Sequence, residues 1–256
     1  MNKYALLGNP LTHSCSQIIH NELFRHNNIN ATYELLDILE NEIPEYLNKI
    51  KEGIYQGYNV TIPYKEKVIP YLDGLTDAAN IIGAVNVIYY RDGKLIGDNS
   101  DFYGFILQLE YQKIDVKNKN VYVLGNGGAA KAIIYALKLL NANVTVVSRR
   151  GGFGYDDLAN LSKIDILINT TPVGMYPNVE LSPVSEDVIN KTEICIDIIF
   201  NPRKTKFLQL ANQKNEGLPM LIFQAIRAEE IWQGQKIDYH YEEIEKACER
   251  KLGANE

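Results

Sequence analysis

A short segment ending in a lysine carries residue types suited to proton transfer. Asn59 and Thr61 lie in a β-branched run that Pro63 must end, because proline cannot donate to a strand ladder. Lys65 follows beyond the strand end, where open α/β sheets place their ligands. Burial or a neighbouring cation can bring the pKa of a lysine into the range of acid–base chemistry. Taken alone, a solvated lysine opening the next helix is the simpler interpretation.

A glycine-rich segment in the second half predicts a dinucleotide site. The strand-forming residues 121–124 run into Gly125, Gly127 and Ala130, and a helical pattern follows. In this G-x-G-x-x-A arrangement the glycines permit a tight turn and close approach of the backbone to a pyrophosphate. The helix N-terminus adds free N–H groups and a positive dipole for the phosphates. A glycine-rich turn without a ligand is the less favoured alternative.

The residues after the next strand predict which dinucleotide binds. An NAD site carries an acidic residue about 20 positions after the glycine loop, whereas this chain has Ser148, Arg149 and Arg150 there. A carboxylate would repel a 2′-phosphate, and arginine binds phosphate oxygens bidentately. The pattern therefore predicts NADP rather than NAD, with a pair of surface arginines as the alternative.

Alternating strands and helices must position these groups. Strands are predicted at 3–7, 33–38, 55–62, 85–90, 94–96, 121–124, 144–147, 164–168 and 194–199. Helices are predicted at 16–26, 42–50, 101–114, 129–140, 220–233 and 241–251. The α/β pattern restarts after the polar segment 117–120, and the stretch before Ile164 is too short for a full helix. This alternation predicts mainly parallel sheets covered by helices, in two domains.

Composition narrows the class of protein. The net charge is −6, with no basic run, which argues against nucleic-acid binding. No apolar stretch approaches the ~18 residues of a membrane span, so no membrane association is expected. Cys15, Cys195 and Cys248 are odd in number and lack metal or redox spacing, as expected for a cytoplasmic protein. The histidines form no metal-ligand set: His13 is a possible site residue, and His20, His26 and His240 are expected on helix surfaces.

Seven segments, in order along nearly the whole chain, resemble motifs of the shikimate dehydrogenase family. They are residues 8–16, 59–65 (the NVT-x-P-x-K element), 83–86 (GAVN), 97–101, 169–175, 197–205 and 217–224. The resemblance implies reversible NADP-dependent reduction of 3-dehydroshikimate to shikimate, in the pathway to chorismate and the aromatic amino acids. A quinate/shikimate dehydrogenase acting on a related cyclitol acid, and a non-catalytic NADP-binding protein, remain as alternatives.

The resemblance also implies roles for individual residues. Lys65 and Asp101 would be catalytic, although Asp101 alone also suits a helix N-cap. The implied substrate-binding residues are Ser14, Ser16, Asn59, Thr61, Asn86, Asp101, Phe200 and Gln224. The implied cofactor-binding residues are Asp77, Gly125, Asn126, Gly127, Gly128, Ala129, Ser148, Arg149, Arg150, Thr170, Ile198, Gly217 and Met220. No metal is implied.

The domain roles follow from the same resemblance. A substrate and catalytic domain is expected over 1–101, completed by C-terminal helices in 220–256, and a Rossmann-like NADP domain over 102–219, with the active-site cleft between them. A monomer or homodimer is expected. Phe200 and Pro219 depart from the family pattern, which usually has tyrosine and glycine there. Losing the tyrosine hydroxyl predicts weaker substrate binding, by about 0.5–1.5 kcal/mol, and a fixed φ at Pro219 predicts an altered nicotinamide side of the site.

Overall fold

The structure, a computed structural model, describes residues 1–11, 14–149 and 151–253. The strands are β1 (Asn2–Gly8), β2 (Ala31–Asp37), β3 (Gly57–Val60), β4 (Gly74–Leu75), β5 (Val87–Arg91), β6 (Lys94–Asp98), β7 (Asn120–Leu124), β8 (Asn143–Val147), β9 (Ile164–Asn169), β10 (Thr192–Asp197) and β11 (Lys214–Asn215). The helices are α1 (Ser16–His26), α2 (Ile43–Lys51), α3 (Asp77–Ile82), α4 (Asp101–Tyr111), α5 (Gly128–Leu139), α6 (Tyr155–Ala159), α7 (Glu186–Asn190), α8 (Lys206–Leu210), α9 (Leu218–Gln233) and α10 (Tyr241–Gly253).

The chain forms two compact units. Unit 1 comprises Met1–Gly104 and Ile222–Glu256, and unit 2 comprises Phe105–Leu221. Both boundaries fall inside helices, α4 and α9, so neither is marked by a loop or a change in composition.

Unit 1 is built on a six-stranded sheet in the order β2-β1-β3-β5-β6-β4. Of these strands β5 runs against the others, since it pairs antiparallel with both β3 and β6. The β5–β6 hairpin turns through Asp92 and Gly93, which both have positive φ, as a two-residue type I′ turn requires. The carboxyl ends of β3 and β6 therefore lie on the same edge of the sheet, where Lys65 and Asp101 follow.

Unit 2 is built on a five-stranded sheet in the order β11-β10-β9-β7-β8, with parallel pairing throughout. The strands β7, β9 and β10 each contain a short uninterrupted apolar run (VYVL, ILI and ICI), as strands covered on both faces do. The segment between β8 and β9 holds the five-residue helix α6, in agreement with the short segment expected there.

The predicted fold class is confirmed: the protein is α/β, with two mainly parallel sheets. The chain also contains short elements that periodicity did not reveal, including β4, β11, α3, α7 and α8. Among the described residues no helix is long and apolar enough to cross a membrane.

The prediction for one histidine was wrong. His20 is fully buried rather than on the helix surface. It shares the buried face of α1 with Ile19, Leu23 and Phe24, and its Nδ1 lies 2.6 Å from Oε1 of Glu229 on α9. The carboxylate satisfies one ring nitrogen, which offsets part of the cost of burying the imidazole.

Candidate active site

Backbone hydrogen bonds join three segments at one edge of the unit 1 sheet. The Val60 amide donates to the Asn86 carbonyl at 2.9 Å, and the Val85 amide donates to the Lys65 carbonyl at 2.8 Å. The Asn86 amide donates in turn to the Asp98 carbonyl at 3.0 Å. The side chains that follow β3, precede β5 and follow β6 are therefore held together by main-chain geometry.

Lys65 and Asp101 form an ion pair at this edge. The Lys65 Nζ donates to Oδ2 of Asp101 at 2.5 Å, and the two side chains are 14% and 6% exposed. A mostly buried pair of this kind keeps the ammonium in a fixed direction, yet part of it stays accessible to a ligand. The arrangement provides a positioned proton donor with an anionic partner.

The amide of Asn86 connects this pair to its surroundings. Its Nδ2 lies 2.8 Å from Oδ1 of Asp101, 3.0 Å from Oγ of Ser100 and 3.3 Å from Oε1 of Gln224. Its Oδ1 accepts from the Ser100 amide at 2.6 Å. The two oxygens of Asp101 thus each accept from a donor, Lys65 on one side and Asn86 on the other.

Asn99 caps α4, which leaves Asp101 available for the ion pair. The Oδ1 of Asn99 accepts from the amides of Asp101 at 3.0 Å and Phe102 at 3.4 Å. Its Nδ2 donates to the Ala84 carbonyl at 2.9 Å. The N-cap role considered for Asp101 therefore belongs to Asn99. An Asx residue two positions before an apolar-faced helix was the sequence signal for it.

Asn59 belongs to the same hydrogen-bonded group. Its Nδ2 donates to the Asn86 carbonyl at 3.1 Å, and its Oδ1 accepts from the Tyr33 hydroxyl at 2.7 Å. Thr61 is half-buried just beyond β3. Sequence reasoning missed Tyr33, because nothing near it along the chain marks its contact with Asn59, 26 positions away.

Ser14 and Ser16 lie at the start of α1. The Oγ of Ser14 accepts from the Ser16 amide at 3.2 Å, while Cys15 occupies the N-cap position. Thr12 and His13, which belong to the same predicted segment, lie outside the described residues. Asp77, predicted to bind the cofactor, lies exposed at the first turn of α3.

Unit 2 contains the predicted glycine loop between β7 and α5. Gly125 has φ +107°, which disfavours any side chain, and a Cβ there would lie 2.9 Å from Oγ1 of Thr170. The Thr170 hydroxyl donates to the Leu124 carbonyl at 2.6 Å, so it packs directly on the loop. Gly127 is the N-cap of α5, with no side-chain cap among the described residues, and apart from its chain neighbours no described atom lies within 4 Å of where its Cβ would be.

These features fit a phosphate group. Within the part of the chain that the structure describes, the first N–H groups of α5 have no partner from a capping side chain, and the space above Gly127 is open. Asn126 is exposed, and Gly128 and Ala129 form the first turn of α5. The loop thus meets the requirements of a dinucleotide pyrophosphate.

The other predicted cofactor residues lie after β8, after β10 and at the start of α9. The Ser148 hydroxyl donates to the Gly151 carbonyl at 3.1 Å, Arg149 is exposed, and Arg150 lies outside the described residues. Gly217 lies directly against Ile198, because a Cβ at Gly217 would stand 2.4 Å from the Ile198 carbonyl. Phe200, two residues after Ile198, is half-buried. Pro219 and Met220 follow Gly217 along the chain and lie in the first turn of α9. Proline is compatible with a first turn.

A buried carboxylate organises the loops after β9 and β10. Asp197 is fully buried and accepts from the Thr205 hydroxyl at 2.7 Å, from the Ile199 amide at 3.0 Å and from Nδ2 of Asn169 at 3.1 Å. Burial raises the pKa of Asp197 to about 6, against the partial effect of these three donors. Sequence reasoning placed Asp197 in a motif but gave it no role. An acidic residue ending an apolar strand was the available signal.

One acidic and histidine cluster lies elsewhere in unit 1. Glu22, His26 and Glu243 approach one another closely enough to share an ion. However, Nη2 of Arg25 already lies 2.8 Å from Glu22 and 3.0 Å from Glu243. Because this guanidinium neutralises the carboxylates, we assign no metal site to the cluster.

The two units together define a class of protein. A positioned lysine–carboxylate pair, and a glycine loop on a parallel sheet with room for a phosphate, are the parts of an α/β oxidoreductase that uses a dinucleotide. Residues 6–88 match the family model for the shikimate dehydrogenase substrate binding domain. The chain is 44% identical to the shikimate dehydrogenase (NADP(+)) of Clostridium beijerinckii, over 93% of this chain and 94% of that protein. The chain belongs to the shikimate dehydrogenase family.

Solved structures agree with this assignment. Shikimate dehydrogenase 1 from Peptoclostridium difficile has a TM-score of 0.89 and 37% identity, covering 98% of each chain. The shikimate 5-dehydrogenase of Thermus thermophilus, in complex with NADP(H) and shikimate, has a TM-score of 0.89 and 30% identity, covering 98% of this chain and all of that one.

Proposed function

We propose that this chain catalyses the reversible NADP-dependent interconversion of 3-dehydroshikimate and shikimate. The observation that carries the proposal is the Lys65–Asp101 pair, with its 2.5 Å contact and its link through Asn86 to Gln224. Unit 1 is the substrate and catalytic domain, and unit 2 is the NADP domain. The quinate alternative has no observation of its own in its favour and is left to the experiment below.

Lys65 acts as the general acid in reduction. When bound, NADPH supplies a hydride to the carbonyl carbon of 3-dehydroshikimate. The Lys65 ammonium gives its proton to the carbonyl oxygen, which becomes the hydroxyl of shikimate, and the lysine takes that proton back in oxidation. Asp101 keeps the ammonium directed at that oxygen and places a negative charge beside it.

The other polar groups of the substrate are its carboxylate and its ring hydroxyls, which hydrogen bonds from this chain hold in place. Ser14 and Ser16 hold the carboxylate through their hydroxyls, and Asn59, Thr61, Asn86 and Gln224 hold the ring hydroxyls. Phe200 occupies the position where the family usually supplies a tyrosine hydroxyl, so this chain binds its substrate with one hydrogen bond fewer. That difference amounts to about 0.5–1.5 kcal/mol.

The cofactor is held mainly by unit 2. The loop 125–129 binds the pyrophosphate, Ser148, Arg149 and Arg150 bind the 2′-phosphate, and Thr170, Ile198, Gly217 and Met220 line the nicotinamide side. Asp77 is a further residue that we propose for cofactor binding. We place the reaction in the cytoplasm, because the three cysteines are free and buried rather than paired. A monomer or homodimer suffices.

Initial rates of oxidation of shikimate and of quinate, each with NADP and with NAD, test this proposal. We expect shikimate with NADP to be the preferred pair. The Lys65→Ala variant is expected to lose about 10²- to 10⁴-fold in kcat, the usual contribution of a positioned acid–base group. Lys67→Ala is the matched control, because Lys67 lies on the same segment but pairs with Glu40 at the surface.

Four results would contradict the proposal in different ways. A preference for quinate would change the substrate, and a preference for NAD would remove the role of Arg149. Binding of NADP without turnover of either acid would favour the non-catalytic alternative. An equal loss in Lys65→Ala and Lys67→Ala would mean that the segment, rather than the Lys65 amine, is sensitive to change.

A further inference from the structure

A buried aromatic and ionic group lies behind the proposed substrate residues of unit 1. The imidazole of His20 and the phenol of Tyr33 are stacked, with ring centroids 4.0 Å apart and planes 4° apart. His20 bonds to Glu229, and both side chains are fully buried. The second carboxylate oxygen of Glu229 accepts from Gln233, whose amide also lies 3.2 Å from the Tyr4 hydroxyl. The His20 imidazole, fixed by its bond to Glu229, therefore holds the Tyr33 ring in place through the stacking contact.

The outer end of this group is the hydroxyl of Tyr33. It donates to Oδ1 of Asn59 at 2.7 Å, in a buried contact. Burial, together with the nearby Glu229 carboxylate, raises the pKa of Tyr33 well above its usual range. The hydroxyl consequently keeps its proton and remains a donor.

The amide of Asn59 has only one orientation that satisfies both neighbours. On one side stands the backbone carbonyl of Asn86, which can only accept, so the NH₂ group must face it. The amide oxygen then faces Tyr33, which donates. These two hydrogen bonds use one N–H and one lone pair of Oδ1, so one N–H and one lone pair remain. The remaining lone pair is on the Tyr33 side, whereas the remaining N–H is on the side of Asn86, which also contacts Asp101, and is therefore the group offered to a ligand.

We infer that Tyr33, held by the stacked His20–Glu229 pair, is a positioning residue that makes Asn59 a hydrogen-bond donor toward the substrate. The inference rests on the proposed function, because it takes Asn59 as a substrate contact. It specifies the chemistry of that contact: the group of the substrate that meets Asn59 must be an acceptor, such as a carboxylate oxygen or a hydroxyl lone pair.

The test is a set of Tyr→Phe variants assayed for shikimate oxidation with NADP. Tyr33→Phe keeps the stacked ring and removes the hydroxyl alone. We expect KM for shikimate to rise about 10-fold, the effect of about 1.4 kcal/mol, with KM for NADP unchanged. Tyr55→Phe is the matched control. The Tyr55 hydroxyl also makes a partly buried hydrogen bond, at 2.6 Å to Oε2 of Glu34, but away from the proposed site.

A double-mutant cycle shows whether Tyr33 acts through Asn59. In an Asn59→Ala background, Tyr33→Phe is expected to cause no further rise in KM, because the group it orients is gone. Glu229→Gln, which keeps the shape of the buried pair, is expected to cause a smaller rise, about 3-fold, and gives a second route if Tyr33→Phe folds poorly.

The outcomes separate the inference from the proposed function. Wild-type turnover with an unchanged shikimate KM in both Tyr33→Phe and Glu229→Gln would overturn the inference and leave the proposed function standing. Additive effects of Tyr33→Phe and Asn59→Ala would also overturn it. A wild-type chain that neither binds nor oxidises shikimate would overturn the proposed function and the inference with it.

Discussion

The two units present their functional groups in different ways. In unit 1 the polar side chains are buried and hydrogen-bonded to one another: Asp101 accepts from both Lys65 and Asn86, and Asn59 is held between two partners. In unit 2 the glycine loop offers backbone N–H groups beside open space, and Arg149 is exposed. The Lys65–Asp101 site of unit 1 is organised by side chains, whereas the glycine loop of unit 2 is organised by the shape of the main chain.

This difference shows which functional groups must be held in an accurate geometry. Acid–base chemistry requires groups held in a fixed geometry, and a buried network supplies that before the substrate arrives. A phosphate group is bound by charge and by N–H groups that many loops of similar shape provide. We therefore expect changes in unit 1 to act on kcat and on KM for shikimate, and changes on the surface of unit 2 to act on KM for NADP.

Among the changes that test this comparison, the largest effect is expected at Asp101. Both of its oxygens accept, from Lys65 and from Asn86, so an amide must set an NH₂ group against one of two donors. For Asp101→Asn we expect kcat to fall about 10²- to 10³-fold with KM for NADP unchanged, measured by steady-state kinetics. Asp73→Asn is the control, because Asp73 accepts from the Leu95 amide at a half-exposed position. A rise in KM for NADP as large as the loss in kcat would contradict the expectation that changes in unit 1 leave cofactor binding unaffected.

The next effect concerns stability and pH in unit 2. The pKa of Asp197 is about 6 in the folded chain, against an ordinary value of 3.8, so the folded state binds a proton more tightly than the unfolded state. Its contribution to stability is fully present below about pH 3.8 and is lost as pH rises through 6. We expect a loss of about 3 kcal/mol in the free energy of unfolding from this carboxyl, measured by urea unfolding between about pH 4 and pH 7.5.

An amide at position 197 sharpens this test, because it cannot ionise. Asp197→Asn is expected to flatten the pH dependence of unfolding over that range, whereas Asp165→Asn, at a more exposed position in unit 2, is expected to keep the wild-type profile. Equal profiles for wild type and Asp197→Asn would show that the loop carboxylate is ionised at no cost. The three donors around Asp197 would then offset the full cost of burying its charge.

The smallest effect is expected at Arg149. Its guanidinium is exposed, and a charge-assisted bond to phosphate typically contributes about 1.5–3 kcal/mol when well formed. We expect Arg149→Ala to raise KM for NADP about 10-fold, with KM for NAD and for shikimate unchanged. Lys163→Ala removes another surface cation from unit 2 and serves as the control. A matching change in KM for shikimate would blur the distinction between the units.

Much of the fold could be predicted from local patterns. The alternation of strands and helices, the Asp92-Gly93 turn and the glycine loop each have a short-range signature, and the structure contains them. The order of strands in each sheet has none. The two-residue strands β4 and β11 depend on partners elsewhere in the chain and carry no periodicity of their own.

The site was predictable by residue type but not by contact. Lys65 and Asp101 came from motifs, yet the orientation of the Asn86 amide depends on three segments meeting, which no single stretch of sequence encodes. For His20, by contrast, the predicted position was wrong. We predicted it on the helix surface, although its spacing from Leu23 and Phe24 is compatible with the apolar face of α1. Its partner Glu229 lies 209 positions away, so nothing near His20 in the sequence indicated how a buried histidine would be satisfied.

The discontinuity of unit 1 has a consequence for how the chain is made. Unit 2 is a single uninterrupted stretch, complete once residue 221 has emerged from the ribosome, whereas unit 1 still lacks Gln224, Glu229 and Trp232 at that moment. The Trp232 indole donates to the Ile88 carbonyl and stacks on Tyr4, so both stay uncovered until the last helices are translated. Although domains generally fold in order from the N-terminus, the middle of this chain is the first part able to finish, and the beginning must wait for the end.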